Sequence, residues 1–563
     1  MLESDDYNKM SKAMLIDLTQ QLMKSLDAMS QALDEKSKAL DEALHRETIY
    51  KETIASLNLQ IYGASTERRT SVPPSLPDDT FNDAEVLADP SAPEGSVEDL
   101  TRQRKPRKKE KGKRAKDLEG LPVEEVIHDI RIDQHDCQKC GSTLRLIGKD
   151  IRDELVYVPA KTFVRRHITY VYACDDCEEK GEKATVIKAD SPKSVIPYSG
   201  LASASLIANI IFRKFFMGLP LYRQEKEFRL YGIPISRQNM ANWMIFTAVR
   251  YLKPLFDLMH EDLKKVHIIH CDETTVKVLK EPSRSGKRSK NSKSYFWLFS
   301  TGRSEPHPII LFKYSPSRAH DVPQQFLQGF HSYAHIDGYE AYHCIDGIIW
   351  VGCWAHLRRK LMDAFKLIPV KDRNKEPLTL CEVGLQYVDQ LFEIERKIKD
   401  LSDKKIHEVR QTKSLPIMND FFSWARANLD SVANKSKIGI ALTYAVNQEV
   451  YLRRFLLDAR LEISNNRGER AIVPVAIGRN NWLFCDTANG AEASAILYSF
   501  VQTAVANSLD PCLYFETVID ELAQLPPVKL LSPDILRQYL PYNDYIITKC
   551  KSDRPAPKNT NAP

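Results

Sequence analysis

The sequence lacks an apolar run long enough to cross a bilayer; its longest, near Leu201 to Phe212, is too short. That excludes a membrane-spanning channel or transporter built on helices. The opening Met-Leu-Glu-Ser-Asp-Asp also lacks the basic-then-apolar layout of a signal peptide, so a cytoplasmic protein is expected. Eleven cysteines in such a chain read as metal ligands or free thiols rather than disulfides. Bases are missing from Asp78 to Asp99, a stretch with eight acids. What is present is the balance of a globular protein, 43% hydrophobic and 28% charged. At 563 residues the chain is too long for one core, and roughly three or four domains are expected.

Net charge of +5 conceals an asymmetry. Arg102 to Lys116 holds ten Lys or Arg and one Glu, +9 in all, so the remainder sums to −4. With Pro73, Pro74, Pro77, Pro90, Pro93 and Pro106 around it, residues 70 to 120 read as a solvated linker. A basic arm of this kind also suits phosphates, because cationic side chains release the counterions of DNA.

Residues 13 to 62 read as one long helix. The a positions of its heptads are Leu26, Leu33, Leu40, Glu47, Ile54 and Ile61, and the d positions are Leu22, Met29, Lys36, Ala43, Tyr50 and Leu57. Ten of these twelve are apolar, which favours self-association through a coiled coil over a helix folded back on its own chain. Next come Cys137-Gln-Lys-Cys140 and Cys174-Asp-Asp-Cys177. Two-residue gaps let both thiolates of a turn reach one ion, and two such turns complete a closed tetrahedral Zn2+ site. A closed site has no open position, so its role is structural, and the expected fold is a zinc ribbon. Strands are expected between the pairs, at Leu155 to Val158 and Phe163 to Tyr172.

From Leu201 the period turns helical. Leu201 to Phe216 and Leu221 to Leu230 are two helices, and Ser236 is placed to cap a third after a glycine-containing turn. This is the layout that sets a second helix into the major groove of DNA. Arg237, Gln238 and Asn242 would lie on its exposed early turns with donors that read purines, whereas Trp243, Ile245 and Phe246 would pack inward. An ordinary helical hairpin has the same pattern.

Strands are expected up to Asp272, over Ser294 to Ser300, over Ile309 to Tyr314, over Tyr333 to Ile336 before Asp337, and over Ile348 to Gly352. A helix over Ala355 to Leu367 follows, so the whole suggests a mixed α/β sheet. Aspartates ending separate strands could sit side by side, where like charge raises their pKa and a divalent metal relieves it. Magnesium suits hard oxygen ligands, and two ions roughly 4 Å apart serve phosphoryl transfer. Glu469, at a helix start with Arg467 and Arg470 beside it for phosphates, supplies a third acid. Spacing alone does not select these three among many acids. Cys353 and His356 are read as a buried cysteine and a histidine that touches DNA or orients an acid; with His270 they stay outside the metal site.

Ordered blocks then add what spacing does not. Tyr62-Gly-Ala-Ser-Thr-Glu-Arg, Cys140-Gly with Leu144-Arg-Leu-Ile-Gly, Leu219-Pro-Leu-Tyr-Arg-Gln-Glu, Cys271-Asp-Glu-Thr, Asp337-Gly-Tyr, Gly352-Cys-Trp-Ala-His-Leu-Arg-Arg-Lys and Asn480-Asn-Trp-Leu-Phe follow one another. In these the chain resembles the insertion-sequence-66 family of DDE transposases, from about residue 10 to residue 525. The resemblance implies an RNase-H-like catalytic domain with Asp272, Asp337 and Glu469 binding Mg2+ or Mn2+. It adds Arg358 and Arg359 to the candidate DNA contacts. The implied order is a coiled coil over 1–69, the linker over 70–120, a zinc-binding domain over 121–190 and a helix-turn-helix-like region over 191–263. The catalytic core over 264–370 and 458–525 is interrupted by a helical insertion over 371–457. A tail over 526–563 reads as partly disordered from its prolines and polar end. Ser464 stands where the family usually has Asp, and Val473 where it has Arg.

The function implied is DNA transposition: cleavage at element ends, then strand transfer, by a nucleoid-associated homo-oligomer with accessory proteins of the same element. A metal-dependent nuclease without joining shares the triad, and a decayed DNA-binding regulator shares the other domains.

Overall fold

The structure is a computed structural model that describes residues 11–62, 162–173, 186–199, 201–281, 293–369, 373–375, 377–526 and 532–551. Helix α1, Lys12–Tyr62, follows the heptads. Its Leu22, Leu26, Met29, Leu33, Leu40 and Ile54 are exposed, so no described part of the chain covers that stripe. Strands β1, Val171–Ala173, and β2, Val186–Lys188, form a small antiparallel ladder. The strand expected from Phe163 is therefore shorter. Phe163, Val164, Ile168 and Tyr170 are exposed, and alternation without a covered face leaves nothing to hold a strand there. The expectation for Leu155 to Val158 lies outside the described residues.

Helices α2 (Ala204–Phe215), α3 (Leu221–Leu230), α4 (Arg237–Thr247) and α5 (Lys253–Leu263) follow. Ser203 and Ser236 cap α2 and α4, each accepting a backbone N–H three residues on at 3.2 Å. Gly232, at φ +72°, makes the turn between α3 and α4. Met240, Trp243, Met244 and Thr247 form the buried face of α4, the helical spacing of an inward stripe.

The main sheet has the order β6-β5-β3-β7-β8. Its strands are β3 (Ile268–Val276), β5 (Ser294–Thr301), β6 (Ile310–Ser315), β7 (Tyr333–His335) and β8 (Ile349–Val351), with β4 (Val278–Lys280) outside it. The first three pair antiparallel; β7 and β8 join parallel to β3. In β5, successive Phe296, Trp297, Leu298 and Phe299 are all buried, so both faces of the sheet are covered. Each such side chain contributes about 1.5–3 kcal/mol. One expectation is corrected: β3 does not stop at its acids but runs on to Val276, because β5 pairs with it along that whole length.

Helix α6 (Trp354–Phe365) starts a second core with α7 (Leu380–Ile398), α8 (Leu415–Leu429) and α9 (Lys437–Arg453), the stretch expected to be helical. Trp354, Phe421 and Phe422 are at its centre. Buried Arg410 donates to the carbonyls of Phe455, Asp458 and Leu461 at 2.8–2.9 Å and pairs with Glu395, so it pins the loop leading onward. That loop feeds α10, Asn466–Trp482, followed by β9, Cys485–Thr487, and by α11, Ala488–Ala506. Ser499 and Thr503 of α11 accept the N–H groups of Phe312 and Ile310 at 2.7 and 3.0 Å, satisfying the outer edge of β6. Helix α12, Pro511–Gln524, completes this first core.

Part of the tail, residues 532–551, is docked on the core. Leu536, Tyr539, Leu540, Ile546 and Cys550 are buried, and Arg537 and Tyr542 each reach Asp262 at 2.9 Å. Apolar residues scattered among the polar ones suffice to dock residues 532–551. Among the described residues no helix is long and apolar enough to cross a membrane.

Candidate active site

Strands β3 and β7 run parallel with His270 beside His335 as the last pair. Side chains return to one face every second residue, so Asp272 is the next step after His270 on β3, and Asp337 follows two residues after His335, just past the end of β7. A repeated His-x-Asp thus becomes two neighbouring columns. The imidazoles stack 4.5 Å apart with planes 8° from parallel, and both are buried. This repeat is legible in the sequence and is a local signal that the two aspartates come together.

Asp337 leaves the sheet on Gly338, at φ +92°, where a Cβ would come 3.1 Å from the Tyr444 hydroxyl and 3.2 Å from Gln448. Asp337 Oδ1 accepts the Tyr339 N–H at 2.9 Å, and Tyr444 of α9 donates to the Asp337 carbonyl at 2.8 Å. The helical segment between the second and third acids therefore buttresses the second one.

Asp272 is half-buried, and its Oδ1 accepts the N–H of Glu273 at 2.8 Å. Among the described residues no cation pairs with it. Loss of solvent pushes its carboxyl well above the usual range, and the charges of Glu273, Asp337 and Glu469 push it further. All three expected acids thus share one electrostatic neighbourhood. Alternation turns Glu273 to the other face, where Arg318 donates to it at 2.8 Å and Tyr342 at 2.9 Å. Arg318 also lies 3.8 Å over the ring of Tyr339. Burial and Asp337 raise the Glu273 carboxyl, with Arg318 opposing. Glu273 and Arg318 were not anticipated, because their partners come from separate loops.

Glu469 occupies the first turn of α10. Asn465, fully buried just before it, is the knot of this region. Its Nδ2 donates to the Cys271 carbonyl at 2.9 Å, its Oδ1 meets His270 Nδ1 at 2.8 Å, and its N–H donates to Cys353 Sγ at 3.1 Å. Its own carbonyl accepts the Glu469 N–H at 3.1 Å. Gly468 eases this approach: a Cβ there would lie 3.1 Å from Asn465 Oδ1 and 3.4 Å from His270. Behind the knot, His270 Nε2 lies 2.9 Å from Glu462 Oε2. Burial works to raise the Glu462 carboxyl, but His270 and Arg467 hold it well below the usual range.

The expected DNA contacts separate. Arg359 closes on Glu469 instead, with Nη2 at 2.5 and 2.6 Å from its two oxygens. Arg358 pairs with exposed Asp389 at 2.7 Å, Arg467 lies 3.3 Å from Glu462, and Arg470 is exposed. Arg237, Gln238 and Asn242 share the exposed side of α4, where Gln238 donates to Asn242 at 3.0 Å. Cys353 caps α6 and is fully buried; burial and the nearby Glu469 charge push its thiol up to about 12. His356, 3.5 Å from Glu469, is pushed down by burial and by Arg359. Cys137, Cys140, Cys174 and Cys177 lie outside the described residues.

Comparison with known proteins covers most of the chain. Residues 199–493 match the family model described as Transposase IS66 family. Residues 134–178 match the zinc-finger binding domain of transposase IS66, which supports structural zinc at the paired cysteines. Residues 49–126 match Transposase C of IS166 homeodomain. Three Sinorhizobium fredii (strain NBRC 101917 / NGR234) proteins are similar. Uncharacterized protein y4qI is 31% identical over 67% of this chain and 69% of its own length. Uncharacterized protein y4hP is 28% identical over 70% and 72%, and uncharacterized protein y4jD 28% over 83% and 90%.

Proposed function

The chain belongs to the IS66 transposase family, and on that premise we propose that it binds the ends of its element, hydrolyses the phosphodiester there and joins the freed 3′-hydroxyl to target DNA. The observation that carries this reading is Asp272, a carboxyl crowded by Asp337 and Glu469 and without a cation of its own among the described residues. Such a set fits a divalent ion, since hard oxygen donors with unbalanced negative charge are what Mg2+ or Mn2+ takes. Asp272, Asp337 and Glu469 would hold it. When bound, a pair of these ions supplies activation of the attacking oxygen and stabilisation of the leaving one.

The remaining work belongs to the protein's own groups. Asn465 and Gly468 hold the start of α10 against β3, which keeps Glu469 within electrostatic reach of Asp272. Arg359 orients the Glu469 carboxylate through both oxygens. Exposed Arg470, with Arg467 on the same turn of α10 and Arg358 on α6, would meet phosphates of the bound DNA. Arg237, Gln238 and Asn242 would read base edges from α4, and the run from Arg102 to Lys116 would grip the backbone without sequence preference. An RNase-H-like core is supported by three antiparallel strands followed by two parallel ones, with acids clustered beyond the β3–β7 pairing. The exposed heptad stripe of α1 supports pairing of protomers, so that both ends are held together.

The test is transposition from a marked donor plasmid carrying the element's ends and its companion genes. Wild type should give insertions, and Asp337→Asn at matched protein level should give none while still binding the ends. Insertions at the wild-type rate from Asp337→Asn would overturn the assignment.

A further inference from the structure

Cys353 and His356 stand three apart at the start of α6, and Glu469 reaches them from the first turn of α10. A sulfur, a ring nitrogen and a carboxylate oxygen from these three lie within 4.8 Å of one another. A tetrahedral zinc ion with bonds of about 2.0–2.3 Å keeps its ligand atoms about 3.3–3.8 Å apart. Small rotamer shifts would therefore close the triangle. Neither the ribbon cysteines nor the two aspartates belong to it.

Two features point to a ligand here rather than to ordinary packing. His356 Nδ1 is shut off from solvent without a hydrogen bond, 3.5 Å from Glu469 Oε1. A buried ring nitrogen in that position is costly until something takes its lone pair. Cys353 Sγ is also buried, and it accepts the Asn465 N–H at 3.1 Å, the kind of outer hydrogen bond that steadies a metal-bound thiolate. Glu469 has two oxygens, so one could turn to an ion while the other stays with Arg359. A metal on Nδ1 leaves the ring proton on Nε2; Arg359 Nη1, at 3.4 Å from Nε2, would then turn away. Thiolate, imidazole and carboxylate together select a borderline-soft ion over magnesium.

We propose that Cys353, His356 and Glu469 form a second metal site for zinc-like divalent ions, separate from the four-cysteine ribbon, with solvent as the fourth ligand. Because it shares Glu469 with the acidic triad, zinc seated there withdraws that carboxylate from magnesium and stops cleavage. The inhibition rests on the function proposed above; the binding does not.

The experiment loads full-length protein with Co2+ and reads metal content and the thiolate-to-cobalt absorption. Wild type should hold about one ion per chain more than Cys353→Ser or His356→Ala. In a Cys137→Ser/Cys140→Ser background, which disables the ribbon, a cobalt–thiolate band should persist and vanish when Cys353→Ser is added. His356 is partly exposed, so His356→Ala decides the matter should the cysteine variant not fold. Equal metal content in wild type and His356→Ala, with the melting temperature unchanged, overturns the site. Neither readout needs DNA, so failure of transposition would count against the proposed function and leave this result standing.

Discussion

Asp272 lies within strand β3 with acids on three sides and no ion-pair partner among the described residues. Glu469, on the first turn of α10, has Arg359 on both of its oxygens. Two acids of one cluster are thus stabilised in different ways. The strand-borne carboxylate has no balancing cation among the described residues, whereas the helix-borne one is paired with Arg359. Binding and reaction would draw on the first, and preorganisation on the second.

The largest way to test this contrast is to neutralise each acid in turn. Asp272→Asn and Glu469→Gln should both lower cleavage by on the order of 10³-fold or more. Without metal, however, they should part. The folded pKa of Asp272 is raised, so its carboxyl is harmless to stability below the ordinary carboxylate pKa of about 4. Above that the unfolded chain ionises first, and stability falls as pH rises toward the folded pKa. Asp272→Asn removes that loss and should raise the melting temperature by roughly 2–4 °C at neutral pH. Glu469→Gln removes the two contacts that Arg359 makes to this carboxylate and should lower it. Thermal melts from pH 5 to pH 8 in a chelator would show this, and equal shifts of one sign would remove the distinction.

Asn465→Ala should come next. It loses the side-chain links to Cys271 and His270 and leaves buried groups unpaired, for about 2–3 kcal/mol measured by denaturant unfolding. An effect under about 0.5 kcal/mol would mean that α10 is held by packing alone. The smallest effect on the core should come from α1. Leu26→Glu with Leu33→Glu should leave the core's unfolding within about 0.5 kcal/mol of wild type, because both side chains are already exposed. The same pair should shift sedimentation toward the monomer, and unchanged sedimentation would end the pairing role proposed for α1.

Much of the fold was legible because its signals are local. The spacing of Met240, Trp243, Met244 and Thr247, the capping serines and the apolar strand β5 each depend on a few neighbouring residues. In the tail after Pro526 the mixed composition does not show which residues dock, and only a waiting surface with Asp262 makes Leu536 and Ile546 core residues. The end of β3 misled for a similar reason: an acid reads as a strand terminus unless a partner such as β5 is known to continue beside it. In the site, the acids could be singled out only by resemblance, while the His-x-Asp repeat offered a physical reason for pairing two of them.

The sequence by itself determined where helices and strands form, that two cysteine pairs are spaced for zinc, and to which family the ordered blocks belong. The first two follow from periodicity, caps and spacing within a few turns of chain, and the third from the resemblance of the ordered blocks. Only the tertiary structure decided that Arg359 serves Glu469 across 110 residues and that Asn465 ties α10 to His270 across 195. No local period encodes such pairs. They arise when the register of a parallel sheet and the docking of one helix on it bring distant polar groups into a place where each must find a partner.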